Sequence, residues 1–216
     1  LAMFISFFYS SALLAVVIRP SLPYIPQLVF LTPTEAFFTH LRLAALAGVV
    51  FASPVWLYQL VRFLWPGLEP VERRCLLVGL PTCLLLFGAG VAFAYGVIIP
   101  LSLRFFTGFA TENLQAFISL GNYVSFVLTL TVPFGLIFEL PVLIVLLTLL
   151  GIVTPEWLAR TRKYTVLVIF VVAAVFTPPD VISQLLLAGP LLVLYEVSLW
   201  LARYAAARRR RHLAEE

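Results

Sequence analysis

The run from Val124 to Val153 carries a single ionisable side chain, Glu139, in an otherwise apolar stretch. About 20 consecutive apolar residues cross the roughly 30 Å hydrocarbon core of a bilayer as a helix, where every backbone polar group must be satisfied within the structure itself. A run of this length therefore places the chain in a membrane before any motif is read. Composition agrees, since 62% of the 216 residues are hydrophobic and 11% charged, far from the balance of a soluble domain. The same ruler finds six spans, over residues 1–18, 41–57, 75–99, 124–153, 164–176 and 181–201. The last two are separated by "TPPD", Thr177 to Asp180, which must break a helix. The expected fold is an all-α integral membrane protein of one six-span domain, followed by a basic tail over residues 203–216.

The fifth span is the shortest, and its 13 residues reach only about 20 Å at 1.5 Å per residue. Half of a re-entrant hairpin is the competing reading. Charge argues for two true crossings, because Arg160, Arg162 and Lys163 precede this span and an arginine-rich tail follows the sixth. Short spans five and six imply a locally thinned bilayer. Eleven of the fourteen basic residues fall on the side of the tail, leaving Arg19, Arg42 and Arg104 opposite. The positive-inside rule then puts both termini in the cytoplasm. The tail "RRRRHLAEE" reads as an orientation signal beside anionic lipid rather than a nucleic-acid arm.

Two loops face the outer side. "RPSLPYIPQLVFLTPTEAFF" has four prolines and reads as a stiff strap, and "PLSLRFFTGFATENLQAFISLGNY" reads as an interfacial helix or cap. Together they would roof one side of the bundle. Pro54 and Pro133 are expected to bend spans two and four, making the bundle concave rather than filled. Ala44, Gly48 and Ala52 in span two, with Gly90/Ala94 and Ala92/Gly96 in span three, form small-residue faces that let helices approach closely. Packing within the chain is the simpler use of such faces. Cys75 and Cys83 lie eight apart, about 80° around a helix, and read as apolar packing residues. The chain starts in hydrophobic sequence with no basic flank or cleavage site, so a native cytoplasmic leader is expected to precede Leu1.

Catalytic chemistry finds little to work with. The histidines are His40 and His212, and the one aspartate is Asp180. Neither a membrane serine protease, an aspartyl dyad nor a His-Glu-x-x-His zinc site can be assembled from these. No phosphate-binding glycine loop is present, and no metal or cofactor is implied. The chain reads as non-enzymatic.

What remains is a sparse polar set in or near the apolar phase: Glu139, Gln184, Glu196 and Arg42. A carboxylate at the bilayer centre costs roughly 2.5–3.5 kcal/mol on insertion scales, so Glu139 should face protein or water. The residues leave three readings open for it, a proton carrier, an internal hydrogen-bonding group, and a contact for a foreign helix. A second informative place is the cytoplasmic loop "RFLWPGLEPVERR". There Glu69 and Glu72 lie near Phe63 and Trp65, a setting suited to gripping a guanidinium. On chemistry alone, Glu72 simply neutralises Arg62, Arg73 or Arg74.

The sequence nevertheless resembles one family, TatC of the twin-arginine protein translocase. The resemblance rests on "PTEAFFTHLRLA", "SPVWLYQLVRFLWPGLEPVERR", "FGLIFELPV", "GIVTPEWLARTRKY" and "TPPDVISQLLLAGPLLVLYE", in order across nearly the whole chain. It implies a signal-peptide receptor and scaffold in a bacterial cytoplasmic (inner) membrane, exporting folded proteins with the proton motive force. TatA and TatB would be its partners, with oligomerisation alongside TatB. Within that resemblance Glu72 belongs to the patch that recognises paired arginines of a signal peptide, with Phe63 and Arg74 beside it. Glu139 faces the concave side, Gln184 lies where TatA or TatB helices dock, and Asp180 and Glu196 fill the family's polar positions. The family's usual His-Leu-x-Glu-Leu-Arg motif ahead of span one has no counterpart in these residues, so weaker grip on signal peptides is expected. A proton-coupled small-solute transporter centred on Glu139 is the alternative, though the chain shows no internal repeat of the kind many transporters carry.

Overall fold

The computed structural model describes residues 2–25, 27–64, 70–108, 118–176 and 181–215; side chains at 61, 63–64, 70–78, 182–183 and 208–215 lie outside the description. Eleven α-helices are described, and no strand occurs among these residues beyond one isolated bridge. They are α1 Ala2–Phe8, α2 Ser10–Ile18, α3 Pro33–Phe51, α4 Ser53–Leu64, α5 Pro70–Phe93, α6 Ile99–Thr107, α7 Leu120–Ile137, α8 Leu140–Leu149, α9 Pro155–Arg160, α10 Arg162–Phe176 and α11 Val181–Glu215. A π-helical turn, Ala94–Ile98, joins α5 to α6 ahead of Pro100, whose missing N–H cannot continue the α-helical ladder.

Four of the described helical stretches are long and apolar enough to cross a membrane: Pro33–Phe51, Gly79–Thr107, Leu120–Leu149 and Gln184–Ala207. A fifth is counted if the bent pair Ala2–Phe8 and Ser10–Ser21 is one span. The 15 residues of α10 cover only about 22 Å, the shortness expected of span five.

The helices divide into two compact units. Unit 1 comprises Leu1–Trp56 and Gly88–Gly135. In it α1 and α2 pack on α3, and the mechanism is visible at Gly48. A Cβ on Gly48 would stand 2.9 Å from the Met3 Cα, so the two backbones touch where any larger residue would hold them apart. The face marked by Ala44, Gly48 and Ala52 is thus used at Ala44 and Gly48 for packing inside the chain; both are buried. Residues 1–18, read as one span, turn at Tyr9, where α1 and the α2 segment differ in direction by 79°. Tyr9 has φ −98° and ψ 12°, outside the helical well, and both arms lie against α3.

Two helix boundaries also differ from expectation, for local reasons. The segment "PTEAFF" belongs to α3 rather than to the outer strap. Thr32 is extended at φ −135° and ψ 147°, and Pro33 follows as the first helical residue, where its missing N–H costs nothing. In span four the helix runs unbroken past Pro133 to Ile137, and the interruption comes at Phe138–Glu139 instead. Pro141, in the first turn of α8, has no N–H for the Ile137 carbonyl four residues back.

Unit 2 comprises Leu57–Phe87 and Leu136–Glu216. Its centre is α11, against which α8, α9 and α10 pack. Leu187, Leu191, Tyr195 and Leu199 of α11 are buried at four-residue intervals, along one face of a 3.6-residue helix. The Tyr195 hydroxyl donates to the Leu158 carbonyl at 2.8 Å, seating α9 on that stripe.

Candidate functional site

Three of the polar residues that the sequence singles out, Glu139, Gln184 and Glu196, fall into distinct local settings in unit 2, and Arg42 lies in unit 1. Glu139 is the residue immediately before α8, at the break between α7 and α8. Its carboxyl lies beside the Cys83 thiol and the Phe87 backbone of α5. One carboxyl oxygen, Oε1, is buried without a hydrogen-bond partner. An orphaned oxygen in an apolar setting forgoes the compensation that usually accompanies burial of a polar group. A helix break and an unspent acceptor thus coincide at one residue.

Gln184 and Glu196 have partners inside the chain. The Gln184 amide, Nε2, donates to the Phe170 carbonyl at 2.9 Å, joining α11 to α10. The Glu196 carboxylate meets Arg162, the first residue of α10, at 2.8 Å. Half of each side chain is exposed, so this pair is a surface contact. Together the two contacts fasten α10 to α11, fourteen residues apart in one case and thirty-four in the other. Asp180 lies outside the described residues, as do the side chains of Phe63, Glu72 and Arg74.

Unit 1 contains a second polar site, which sequence reasoning had not singled out. Val29 forms a parallel bridge with Ser119, its carbonyl accepting the Leu120 N–H at 2.8 Å. The two outer-loop segments therefore meet, although residues 109–117 of the second are outside the description. Glu35 reinforces the junction: Oε2 accepts the Leu31 N–H and Oε1 the Gly121 N–H, both at 2.7 Å. One signal could have exposed it, the Thr32-Pro-Thr-Glu35 spacing of a capping box. Here the glutamate reaches back one residue farther than that motif, to Leu31, and across to α7. Nearby, Arg42 donates to the Ser125 hydroxyl, and the Tyr123 hydroxyl to the Val17 carbonyl at 2.8 Å.

Apolar helices of crossing length, with polar groups spent on joining helix to helix, define a multi-helix membrane protein. Comparison with known proteins narrows that class. The family model described as Sec-independent protein translocase protein (TatC) matches residues 1–190. The chain is 43% identical over 201 residues to the TatC of Carboxydothermus hydrogenoformans, covering 93% of this chain and 83% of that protein. It is 39% identical over 210 residues to the TatC of Aquifex aeolicus, covering 95% and 87%. A crystal structure of the twin arginine translocase receptor TatC superposes with a TM-score of 0.86 at 38% identity, over 94% of this chain and 91% of that one. The chain belongs to the TatC family and is a component of a Sec-independent protein translocase.

Proposed function

We propose that the protein is the signal-peptide receptor and scaffold of a twin-arginine translocase, multi-pass in a bacterial cytoplasmic membrane with both termini inside. It binds twin-arginine signal peptides at its cytoplasmic face, and recruits TatA and TatB for export of folded proteins at the expense of the proton gradient. The observation that carries this reading is the likeness, over nearly the full length, to a solved twin arginine translocase receptor. At residue level, Glu72, in the first turn of α5, supplies the negative charge that pairs with arginine, and Phe63 near the end of α4 and Arg74 in α5 belong to the same recognition patch. Glu139, at its helix break with an unpartnered oxygen, offers the contact for a partner helix.

The test is peptide binding to reconstituted protein, with a twin-arginine signal peptide and a twin-lysine control. Removing a bidentate, charge-assisted pair in Glu72→Gln should weaken the twin-arginine peptide about tenfold or more and leave the twin-lysine control little changed. Equal loss for both peptides would remove Glu72 from recognition. Export of a twin-arginine reporter in cells lacking their own TatC, with the chain expressed alone and joined to the N-terminal segment of a relative, tests the role as a whole.

A further inference from the structure

The proline-rich strap between α2 and α3, residues 19–32, is fastened at its start by side chains from elsewhere in unit 1. Arg19 is helical, at φ −49° and ψ −43°, so an N–H on residue 20 would point back to the Val16 carbonyl, four residues earlier. Pro20 has no N–H to give. The Val16 carbonyl takes the Arg19 N–H in the tighter three-residue pattern, and with it a donor from outside, the Tyr95 hydroxyl at 2.6 Å. The Val17 carbonyl accepts the buried Tyr123 hydroxyl at 2.8 Å, and the Ile18 carbonyl accepts the Ser21 hydroxyl at 2.7 Å. Three successive carbonyls at the end of α2, of the kind a helix leaves unpaired, are each met by a hydroxyl.

Tyr95 reaches α2 from inside the π-helical turn, where the Ile99 N–H returns five residues to the Ala94 carbonyl. The residue that such a turn inserts rotates the side chains around it by about 100° relative to an unbroken α-helix, and turns of this kind concentrate at functional positions. Past the clamp the strap folds in on itself. The Tyr24 and Ile25 N–H groups donate to the Ser21 carbonyl at 2.9 and 2.8 Å, and Ser21 and Ile25 are 1% and 2% exposed. At its far end the Val29 carbonyl accepts the Leu120 N–H, and the Leu31 N–H is held by Glu35, itself fixed on Gly121. Leu120, Gly121 and Tyr123 all lie in the first turn of α7, so both ends of the strap are tied to one helical turn.

We propose that the strap is a fixed roof and not a gate, with Tyr95 and Tyr123 as its positioning residues and Tyr95 standing in for the donor that Pro20 lacks. A gate would have to break these bonds together and draw Ile25 out of the core. The inference rests on the contacts within unit 1 and not on signal-peptide recognition.

The experiment is hydrogen–deuterium exchange of the whole chain in lipid nanodiscs, read at the Leu22, Tyr24 and Ile25 amides. In wild type these should exchange at least about a hundredfold more slowly than in an unstructured peptide; protection below about tenfold means a strap that opens freely and overturns the proposal. Tyr95→Phe keeps the ring and loses one hydrogen bond, so exchange should rise about fivefold. Pro20→Ala returns an N–H to the Val16 carbonyl, and adding Tyr95→Phe to it should change exchange by less than about twofold. Disturbed packing of the ring would not be rescued in this way, so equal acceleration in both backgrounds, or none in either, overturns the role of Tyr95. Tyr123→Phe, whose partner is the Val17 carbonyl, should accelerate exchange in both backgrounds, and no acceleration overturns its role. Saturating twin-arginine peptide should leave the wild-type rates unchanged; faster exchange with peptide bound would make the strap a gate. Peptide binding is measured on the same samples, so a peptide that does not bind counts against the receptor reading alone, while the wild-type protection and the variants still decide this proposal.

Discussion

The Oε1 atom of Glu35 accepts the backbone N–H of Gly121 at 2.7 Å, across 86 residues of sequence, and the glycine is what permits the approach. A Cβ at position 121 would stand 2.8 Å from that same oxygen and 2.9 Å from the Glu35 Cγ. The carboxylate can swing away from an added methyl, but only by giving up the hydrogen bond. Gly121→Ala and Glu35→Ala are therefore expected to remove the same interaction. Each should lower the thermal midpoint of the purified protein, with Glu35→Gln intermediate because an amide has one acceptor for two N–H donors. The double variant should be scarcely worse than either single one, the signature of a shared contact. Additive losses in differential scanning fluorimetry would show that the two residues act separately.

Gly48 provides a second expectation, of a steric kind. Its neighbour is the Met3 backbone at 2.9 Å, which cannot rotate aside as a side chain can. Gly48→Ala should cost about 1–3 kcal/mol, the usual range for overpacking. Gly88→Ala is the control, since a Cβ there meets open space; helix propensity alone should make it neutral or stabilising by up to about 1 kcal/mol. Unfolding of both variants in the same detergent decides the matter, and equal effects would mean that α1 does not need the close approach.

The two substitutions also mark the limit of what the sequence discloses. The all-helical class is legible because lipid leaves the backbone no alternative, so long apolar runs such as Val124 to Val153 can be read by length. Glu139 is legible because a lone carboxylate in such a run is costly, and the stripe through Gly48 because helical spacing is local. The 79° turn at Tyr9 is not legible, since nothing in "SFFYSSA" forbids a straight helix; it accompanies the packing of both arms on α3. Pro133 and Pro141 look alike in sequence, yet the helix breaks beside the second. Glu35 reads as an ordinary first-turn acid until the fold brings Gly121 to it from a distant segment. Gln184 reads as lying where a partner helix docks, and the fold shows in addition that its amide joins α11 to the Phe170 carbonyl of α10. In each case the sequence identifies a residue with unspent chemistry, while the partner is set by long-range packing.

Glu196 allows stability and function to be separated. Its ion pair with Arg162 leaves about half of each side chain exposed, and pairs of that kind contribute about 0–1 kcal/mol. Glu196→Gln should thus shift the unfolding free energy by less than about 1 kcal/mol, with Arg162→Gln behaving alike. If Glu196 serves only this pair, export of a twin-arginine reporter should fall equally little in both variants. A large loss of export confined to Glu196→Gln, at unchanged stability, would assign the carboxylate to a partner protein instead.

Glu139 is where helix geometry and unspent chemistry coincide, and its substitutions separate the readings of that site. Glu139→Gln keeps the volume and an acceptor but removes the ionisable proton, whereas Glu139→Ala also removes the polar contact. A docking role predicts that the Gln variant retains most of its co-purification with TatA and TatB while the Ala variant loses it. Twin-arginine peptide affinity governed by Glu72 should stay within about twofold in both, because distant independent sites usually add within about 0.3–0.5 kcal/mol. A proton-carrying role predicts the opposite order of severity, with Gln as damaging to transport as Ala and co-purification intact. Measuring partner retention and reporter export on the same two variants therefore decides between them, and loss of peptide binding in either would tie Glu139 to recognition as well.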